Sequence, residues 1–264
     1  MRRRLVTAVT ATVVCLALAG CGSPSSDGAA ASTSRAGSTA PSGTITVFAA
    51  ASLKESFTTL GRQFERAHPG TRVVFSFGSS SGLATQITQG APADVFASAS
   101  PTTMAQVTKA AAASSPTTFA RNVMAIAVPA ANPAKVTDLS SLAQPGVKVA
   151  LCQVTVPCGA TAAKVFANAR LRVTPVSQEV DVKAVLSKVT LGEVDAGVVY
   201  VTDVRSAGAK VKAIGIPDDV NASTSYPIAT LTTSGNRATA QAFTSYVLSA
   251  AGTSVLTRAG FARP

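Results

Sequence analysis

The stretch from Thr44 to Phe57, TITVFAAASLKESF, joins a strand pattern to a helix pattern through three alanines. Its first part alternates β-branched residues as a strand does, whereas from Leu53 the apolar residues follow helical spacing. Ser52 stands at the expected N-cap, and Glu55 follows three residues later, the pattern of a capping box. A helix start of this kind offers free backbone N–H groups and the positive end of a dipole. It therefore favours an anion.

Strand and helix patterns alternate along the rest of the chain. After the first strand, strands are predicted at 71–77, 95–97, 123–128, 147–151, 172–176, 194–201, 211–216 and 226–231. Helices are predicted between most of them, and one long helix with a buried Leu248 is predicted from Arg237. This order predicts an α/β fold with a mostly parallel sheet. A length of 264 residues allows two units of about 100 residues each.

The N-terminus has the pattern of a lipoprotein signal. Arg2–Arg4 are positive, Leu5–Ala19 are apolar but too few for a transmembrane helix, and Leu18–Cys21 resembles a lipobox. Residues 22–42 have the Ser-, Ala-, Gly- and Pro-rich composition of a flexible tether. We expect cleavage after residue 20, a lipid on Cys21 and an exported protein held at the outer face of the cytoplasmic membrane. A plain secretory signal is the alternative.

The remaining cysteines favour a disulfide. Cys15 lies in the signal and Cys21 is the lipidation candidate, which leaves Cys152 and Cys158 in an oxidising compartment. Closing so small a loop is worth about 2 kcal/mol in the chain-entropy model. The chain has a single histidine, His68, so neither a metal cation bound by side chains nor a cofactor is expected.

The charge distribution argues against a nucleic-acid surface. The net charge is +11, but three of the positive residues are Arg2–Arg4 and the others are scattered singly. No basic run beyond the N-terminus alternates with aromatic residues. The excess charge predicts a solvated basic surface, with a general attraction of anions as the alternative.

Gly78, Ser80 and Gly82 form a GxSxG pattern between a predicted strand and helix. This is the context of the nucleophile elbow of α/β-hydrolases, whose catalytic histidine follows the serine in the chain. His68 precedes Ser80 and cannot fill that place in the order. A serine–lysine pair with Lys164 or Lys183 stays open, so a secreted serine hydrolase is the alternative from another functional class.

Polar groups gather where predicted strands run into helices. Ser52 and serines 79–81 occupy two such junctions, Cys158–Gly159 and Asp181–Val182 begin two later helices, and Tyr200 ends a strand. The carboxyl ends of parallel strands meet at one edge of a sheet, so these groups can face one ligand. Except for Asp181, interpreted as an N-cap of its own helix, they offer neutral hydroxyl and N–H donors. Together they predict a buried oxyanion site, although each alone is also explained as a cap, loop or core residue.

Separated motifs resemble the periplasmic molybdate-binding proteins of ABC transporters. They are ITVFAAASL, SFGSSSGLATQI, GAPADVFASA, VPCGATAAKVF, EVDVKAVL, GEVDAGVVYVTDV and VLTRAGF, and the resemblance runs from Gly43 to Phe261. It implies the two-lobed periplasmic binding protein fold of the second type. Lobe 1 would comprise 43–118 plus 225–264 and lobe 2 would comprise 119–224, with crossovers near Phe119–Asn122 and Thr224–Tyr226.

The resemblance also implies the ligand and its donors. A tetrahedral molybdate or tungstate would bind between the lobes to the hydroxyls of Ser52, Ser80 and Tyr200 and to the backbone N–H groups of Cys158 and Val182. Molybdenum would be bound only as the oxyanion. A disulfide at Cys158 would fix the loop that presents its N–H. We further expect Glu55 to turn away from the Ser52 N–H in the bound state, because two negative groups would compete for that donor.

The implied function is high-affinity binding of molybdate and tungstate and delivery to the permease of an ABC importer, without bond chemistry. A monomer that meets the membrane only through its lipid is expected, with no nucleic-acid partner. A sulfate- or phosphate-binding protein stays open, because cavity size separates these ions and the sequence does not give it.

Overall fold

The structure, a computed structural model, describes residues 40–264. Its strands are β1 Gly43–Ala50, β2 Thr71–Gly78, β3 Val95–Ala97, β4 Thr117–Pro129, β5 Val149–Cys152, β6 Ser177–Glu179, β7 Ala196–Tyr200, β8 Val211–Ile214 and β9 Ser223–Thr230. Its α-helices are α1 Lys54–Ala67, α2 Ser80–Thr88, α3 Pro101–Lys109, α4 Pro157–Asn168, α5 Val182–Thr190, α6 Val201–Ala207, α7 Arg237–Leu248 and α8 Ala250–Ala259. No helix in these residues combines the length and apolar character needed to cross a membrane.

The strands form a mixed sheet in the order β2-β1-β3-β9-β4-β7-β5-β6, and β8 pairs with β4. β1 is parallel to β2 and β3, and β5 is parallel to β6 and β7. β9 runs antiparallel to β3 and β4, and β4 runs antiparallel to β7 and β8. The α/β alternation is therefore confirmed, but the two long antiparallel strands make the sheet mixed rather than mostly parallel.

Buried residues separate into clusters on either side of β4. One cluster lies within 124–216 and packs β4, β5 and β7 against α4 and α5. Two others cover the opposite faces of β1 and β3, one with α1, α7 and α8 and one with α2 and α3. The first of these contains Phe57, whose ring lies 5.8–6.2 Å from the rings of Phe75, Phe119 and Phe243. Aromatic pairs at this spacing add stability beyond their buried area.

β4 joins the two parts of the sheet without a break. Its first half pairs with β9 from Thr117 to Val123, and its second half pairs with β7 from Met124 to Ala127. The two segments predicted as crossovers therefore lie side by side in paired strands, with Asn122 opposite Thr224. Paired strands limit how the two parts can move, because relative motion has to be absorbed by bending or twisting of β4 and β9.

Several predicted bounds differ from the structure, for example the strand predicted at 123–128, which begins at Thr117. Two further differences have a local cause. The strand predicted at 172–176 lies instead at Ser177–Glu179, since Pro175 has no N–H for a sheet ladder. The single helix predicted from Arg237 is two helices, because Ser249 is extended and its hydroxyl accepts the Gly252 N–H to cap α8. Leu248, predicted to be buried, ends α7 and is 38% exposed.

The predicted signal of residues 1–20, the lipidation candidate Cys21 and the tether up to residue 39 lie outside the described residues. At the end of the predicted tether, the Ser42 carbonyl accepts hydrogen bonds from Asn236 and Thr239. The Ser42 N–H donates to the Thr239 hydroxyl over 3.0 Å. Ser42, the last residue of the predicted tether, is therefore held by hydrogen bonds to the start of α7.

The loop between β5 and α4 is closed by the predicted disulfide. Cys152 and Cys158 are bonded, with their Cα atoms 5.8 Å apart. Gly159 follows in the first turn of α4, where a Cβ would lie 1.9 Å from the Gln153 carbonyl oxygen. A residue without a side chain at 159 is therefore needed for the helix start to pack onto the disulfide loop.

Replacing Gly159 with alanine should force the start of α4 away from this loop. Because the clash is with backbone, we expect Gly159→Ala to lower the free energy of unfolding by at least about 2 kcal/mol, within the usual range for overpacking. Gly215→Ala is the matched control, since nothing lies within 4 Å of a Cβ there. Urea unfolding of both variants measures the difference, and equal stability would contradict the packing described.

Candidate oxyanion site

A cavity of about 20 Å³ lies at the carboxyl ends of β1, β2 and β7. It exceeds the minimum for one water molecule and is far below the volume of sites for drug-sized ligands, so it suits a compact inorganic ion. All five residues predicted as ligand donors line it. The lining residues are Ala50, Ala51, Ser52, Gly78, Ser79, Ser80, Ala99, Val156, Pro157, Cys158, Asp181, Val182 and Tyr200.

Two serines from the first part of the chain face this cavity. Ser52 follows β1 and is 5% exposed, and Ser80 begins α2 and is 1% exposed. The Ser80 hydroxyl accepts the Ala99 N–H over 2.9 Å, so its own hydrogen is not used in that bond. Ser79 caps α2 by accepting the Gly82 N–H. Ser79 thus caps the helix, whereas the Ser80 hydroxyl faces the cavity.

The second part of the chain presents two helix starts. Cys158 lies in the first turn of α4 after Pro157, and Val182 is the first residue of α5. The first N–H groups of a helix have no partner within the helix. Asp181 is an N-cap as predicted, since its carboxylate accepts the N–H groups of Lys183 and Ala184. The Val182 N–H is outside this cap, and both helix dipoles direct their positive ends at the cavity.

Tyr200, the last residue of β7, forms part of the cavity wall. It is 1% exposed, and its hydroxyl has no hydrogen-bond partner among the described residues. Burial raises its pKa, and the nearby Asp203 carboxylate raises it further, so the hydroxyl keeps its hydrogen. A buried hydroxyl without a partner costs free energy, and an acceptor bound in the cavity would remove that cost.

The predicted capping box at Ser52 is wrong. Residues Ala51–Leu53 form a 3₁₀ turn ahead of α1, so the helix begins at Lys54 and the N-cap position falls on Leu53. The Ser52 hydroxyl instead pairs with the Tyr226 hydroxyl over 2.9 Å in a buried contact. The extra turn moves Ser52 from the helix end to the cavity wall.

Glu55 takes part in an ion pair instead of capping Ser52. Its carboxylate lies 2.9 Å from Lys183 Nζ, which joins α1 to α5 beside the cavity. Lys183 Nζ also donates to Ser206 over 3.0 Å and lies 3.2 Å from Asp203 Oδ1. Glu55 therefore has a partner of its own beside the cavity, and its expected orientation with an anion bound stays a prediction. Half-exposed pairs of this kind are worth about 0.2–1 kcal/mol.

A second contact joins the two parts of the chain on another side of the cavity. The Ser81 hydroxyl donates to the Thr155 carbonyl over 2.8 Å. Ser81 follows the cavity residue Ser80, and Thr155 belongs to the loop closed by the disulfide. Both contacts therefore come from segments that also supply the cavity wall.

Among residues 40–264, the hydrogen bonds of Ser80 do not connect it to a base of the kind the serine-hydrolase alternative needs. The ring of His68 packs 4.5 Å from the ring of Phe64 at the end of α1. Lys183 Nζ is engaged by Glu55, Ser206 and Asp203. Among residues 40–264, Ser80 has no hydrogen bond to a histidine or a lysine side chain. Within the GxSxG segment, Ser79 caps α2 and Ser80 lines the cavity.

Comparison with known protein families identifies the family to which the chain belongs. The family model of bacterial extracellular solute-binding proteins matches residues 45–262. This chain is a bacterial extracellular solute-binding protein.

Curated relatives of this solute-binding protein include molybdate-binding proteins. It is 42% identical over 261 residues to "Molybdate-binding protein ModA" of Mycobacterium tuberculosis (strain H37Rv), covering 98% of both chains. It is 35% identical over 247 residues to the protein of that name from Escherichia coli (strain K12), covering 89% of this chain and 95% of the relative. The resemblance predicted from the motifs is confirmed.

A solved structure shows the same fold. The periplasmic molybdate-binding protein of Azotobacter vinelandii matches with a TM-score of 0.74 at 22% identity, over 83% of this chain and 99% of that one. The predicted fold of the periplasmic binding proteins is therefore confirmed for the solute-binding protein.

The sequence prediction missed three buried polar residues behind the cavity wall. Asn122 is 2% exposed, Tyr226 is fully buried, and the Asp203 carboxylate accepts the Tyr200 N–H over 3.2 Å. Asp203 had a visible signal, since an acidic residue three positions after a strand end fits the first turn of a helix. Asn122 and Tyr226 lie on strands distant in sequence, and only their pairing brings them to Ser52.

Asp203 should make the stability of the protein depend on pH. Burial raises its pKa from 3.8 to about 6, with Lys183 opposing that shift. Between these values the folded protein holds a proton that the unfolded chain has released, so the Asp203 contribution falls as pH rises. We expect the free energy of unfolding of Asp203→Asn, relative to the unmodified protein, to rise by up to ~3 kcal/mol between pH 4 and pH 7.

Asp138→Asn is the control of opposite sign. Hydrogen bonds from Ser140 and Ser141 lower the pKa of the exposed Asp138, so its contribution is present above pH 4 and is lost at lower pH. Relative to the unmodified protein, this variant should lose stability as pH rises to about 4 and should change little between pH 4 and pH 7. Urea unfolding at several pH values measures both, and parallel pH profiles for the two variants would contradict the assignment.

Proposed function

We propose that this chain binds molybdate, and also tungstate, outside the cytoplasmic membrane and delivers it to the permease of an ABC importer. The observation that carries the proposal is the convergence of Ser52, Ser80, Cys158, Val182 and Tyr200 on one small cavity. These donors come from five separate segments of the chain. The identity to molybdate-binding relatives over nearly the full length supports the same ligand.

The donor set suits a fully ionised tetrahedral anion. Three hydroxyls and two helix-start N–H groups would each donate to an oxygen of the ion. Each hydrogen bond to a charged group contributes about 1.5–3 kcal/mol. Five such bonds amount to about 7.5–15 kcal/mol before any discount for non-additivity, a range that includes the ~8 kcal/mol corresponding to a micromolar Kd. The donors act by geometry alone, so the chain would do no bond chemistry.

Lobe closure is part of the proposal. Lobe 1 would be residues 43–118 plus 225–264 and lobe 2 would be residues 119–224, with β4 and β9 as the connection. Support comes from the separate hydrophobic clusters on either side of β4. Ion binding would draw the lobes together, and the contacts Glu55–Lys183 and Ser81–Thr155 would hold the closed form. The permease would receive that closed form, as in hinge closure of other binding proteins.

The N-terminal pattern and the family support the proposed location. A lipid on Cys21, after removal of residues 1–20, would keep the binding unit at the outer face of the membrane. The extracellular character of the family supports export. We propose a monomer that reaches the permease through the length of chain between Cys21 and Ser42.

Calorimetry with molybdate, tungstate, sulfate and phosphate tests the proposal. We expect sub-micromolar binding of molybdate and tungstate and much weaker binding of the other two ions. Ser80→Ala should weaken molybdate binding about tenfold or more, because it removes a donor and leaves the Ala99 N–H unpaired. Ser254→Ala, an exposed serine on α8, is the control and should bind normally.

Two results, one from calorimetry and one from an esterase assay, would contradict the proposal. Tight binding of sulfate or phosphate without molybdate would assign the cavity to those ions. Hydrolysis of a simple ester that is lost in Ser80→Ala would assign Ser80 to catalysis.

The disulfide should improve affinity by fixing the loop that presents the Cys158 N–H. Preorganisation saves part of the ordering cost of binding. We expect Cys152→Ser/Cys158→Ala to bind molybdate about threefold to tenfold more weakly and to lose about 2 kcal/mol of stability. Calorimetry at a temperature where the variant is fully folded measures the affinity, and unchanged affinity would contradict the role.

A further inference from the structure

A chain of buried polar groups leads from β4 to the cavity. Asn122 on β4, Tyr226 on β9 and Ser52 after β1 are 2%, 0% and 5% exposed. Tyr226 Oη lies 2.9 Å from Ser52 Oγ and 3.5 Å from Asn122 Nδ2. Because these groups are cut off from water, each has to find its partners inside the protein.

The orientation of the Asn122 amide is set by the backbone. Its Oδ1 accepts the Val123 N–H over 3.1 Å, so Nδ2 occupies the opposite side. There Nδ2 donates to Thr202 Oγ1 over 2.8 Å and faces Tyr226 Oη. The amide nitrogen has only hydrogens to offer, so Tyr226 Oη is the acceptor in this contact.

The direction of the next hydrogen bond follows. A tyrosine hydroxyl has one hydrogen, and since Tyr226 accepts from Asn122 that hydrogen is free for Ser52 Oγ. Burial and the neighbouring Tyr200 raise the pKa of Tyr226, which keeps the hydrogen in place. When Tyr226 directs this hydrogen at Ser52, Ser52 Oγ is the acceptor and its own single hydrogen is left for the cavity.

We infer that Asn122 and Tyr226 are positioning residues that make Ser52 a hydrogen-bond donor to the bound ion. The inference rests on the proposed function as an oxyanion-binding protein and goes beyond its five donors. Neither residue lines the cavity, so both act through Ser52. Without them the Ser52 hydroxyl could turn its hydrogen to another acceptor and present a lone pair to the anion, which is repulsive.

Ser80 shows the same arrangement with a different partner. The Ala99 N–H donates to Ser80 Oγ and leaves its hydrogen for the cavity. On Ser80 the donor is a backbone N–H, which truncating a side chain does not remove, whereas on Ser52 it is the Tyr226 side chain. The contact at Ser52 can therefore be tested directly.

A double-mutant cycle on the full chain tests the inference. The variants are Tyr226→Phe, Ser52→Ala and the double variant, with affinity measured by calorimetry for molybdate, tungstate, sulfate and phosphate. For the ion bound most tightly, Tyr226→Phe should weaken binding about tenfold, the cost of about one hydrogen bond to a charged group. In the Ser52→Ala background the same change should alter affinity less than about twofold, because coupled residues are not additive.

Controls separate positioning from packing. Tyr246→Phe removes a hydroxyl that donates to Gln63 on the side of α7, so it should leave affinity unchanged. If Tyr226→Phe folds poorly, Asn122→Ala replaces it in the cycle and should show a smaller loss that again disappears with Ser52→Ala. Circular dichroism and thermal melting establish which variants are folded.

Each outcome has one meaning. Loss of affinity that depends on Ser52 supports the inference. An equal loss with and without Ser52, or no loss, overturns the inference while leaving the proposed function standing. If the unmodified protein binds none of the four ions, the proposed function falls and the inference falls with it.

Discussion

The rest of the proposed site depends on one constraint, the transfer of an anion from water into a cavity whose wall, among residues 40–264, contains no lysine or arginine. Water stabilises a small dianion strongly, and a buried charge without compensation is costly. Compensation here would come from fixed dipoles: hydroxyl groups, backbone N–H groups and two helix starts. Such dipoles help only if they point at the ion before it arrives, so the surrounding structure has to hold each one in place.

Four of the five proposed donors are held by different features of the chain. The Ala99 N–H donates to the Ser80 hydroxyl, and the Tyr226 hydroxyl pairs with the Ser52 hydroxyl. Asp181 caps α5 and leaves the Val182 N–H outside the cap. The disulfide fixes the loop before α4. Lys183 stands next to the wall, but its charge is balanced by Glu55 and Asp203. The Lys183 ammonium is thus paired beside the cavity rather than facing it, and its contact with Glu55 joins α1 to α5.

The sequence predicted the elements of the fold more reliably than their interactions. Alternating patterns located most strands and helices, and junction residues together with the family motifs located the five predicted donors that line the cavity. The turn at Ala51–Leu53 escaped prediction, since Ser, three residues before Glu, looks the same in a capping box and in a 3₁₀ turn. Contacts such as Glu55–Lys183 and Ser52–Tyr226 join residues far apart in the chain and become visible only in the folded structure.

The most direct test of a cationless oxyanion site is a crystal structure of the protein with molybdate, in which anomalous scattering locates the molybdenum. The account predicts one peak in the cavity, with the ion's oxygens within hydrogen-bond distance of the Ser52, Ser80 and Tyr200 hydroxyls and of the Cys158 and Val182 N–H groups. Glu55 should stay turned away from the Ser52 N–H. An ion held by a lysine or arginine side chain, or Glu55 bonded to the Ser52 N–H, would contradict it.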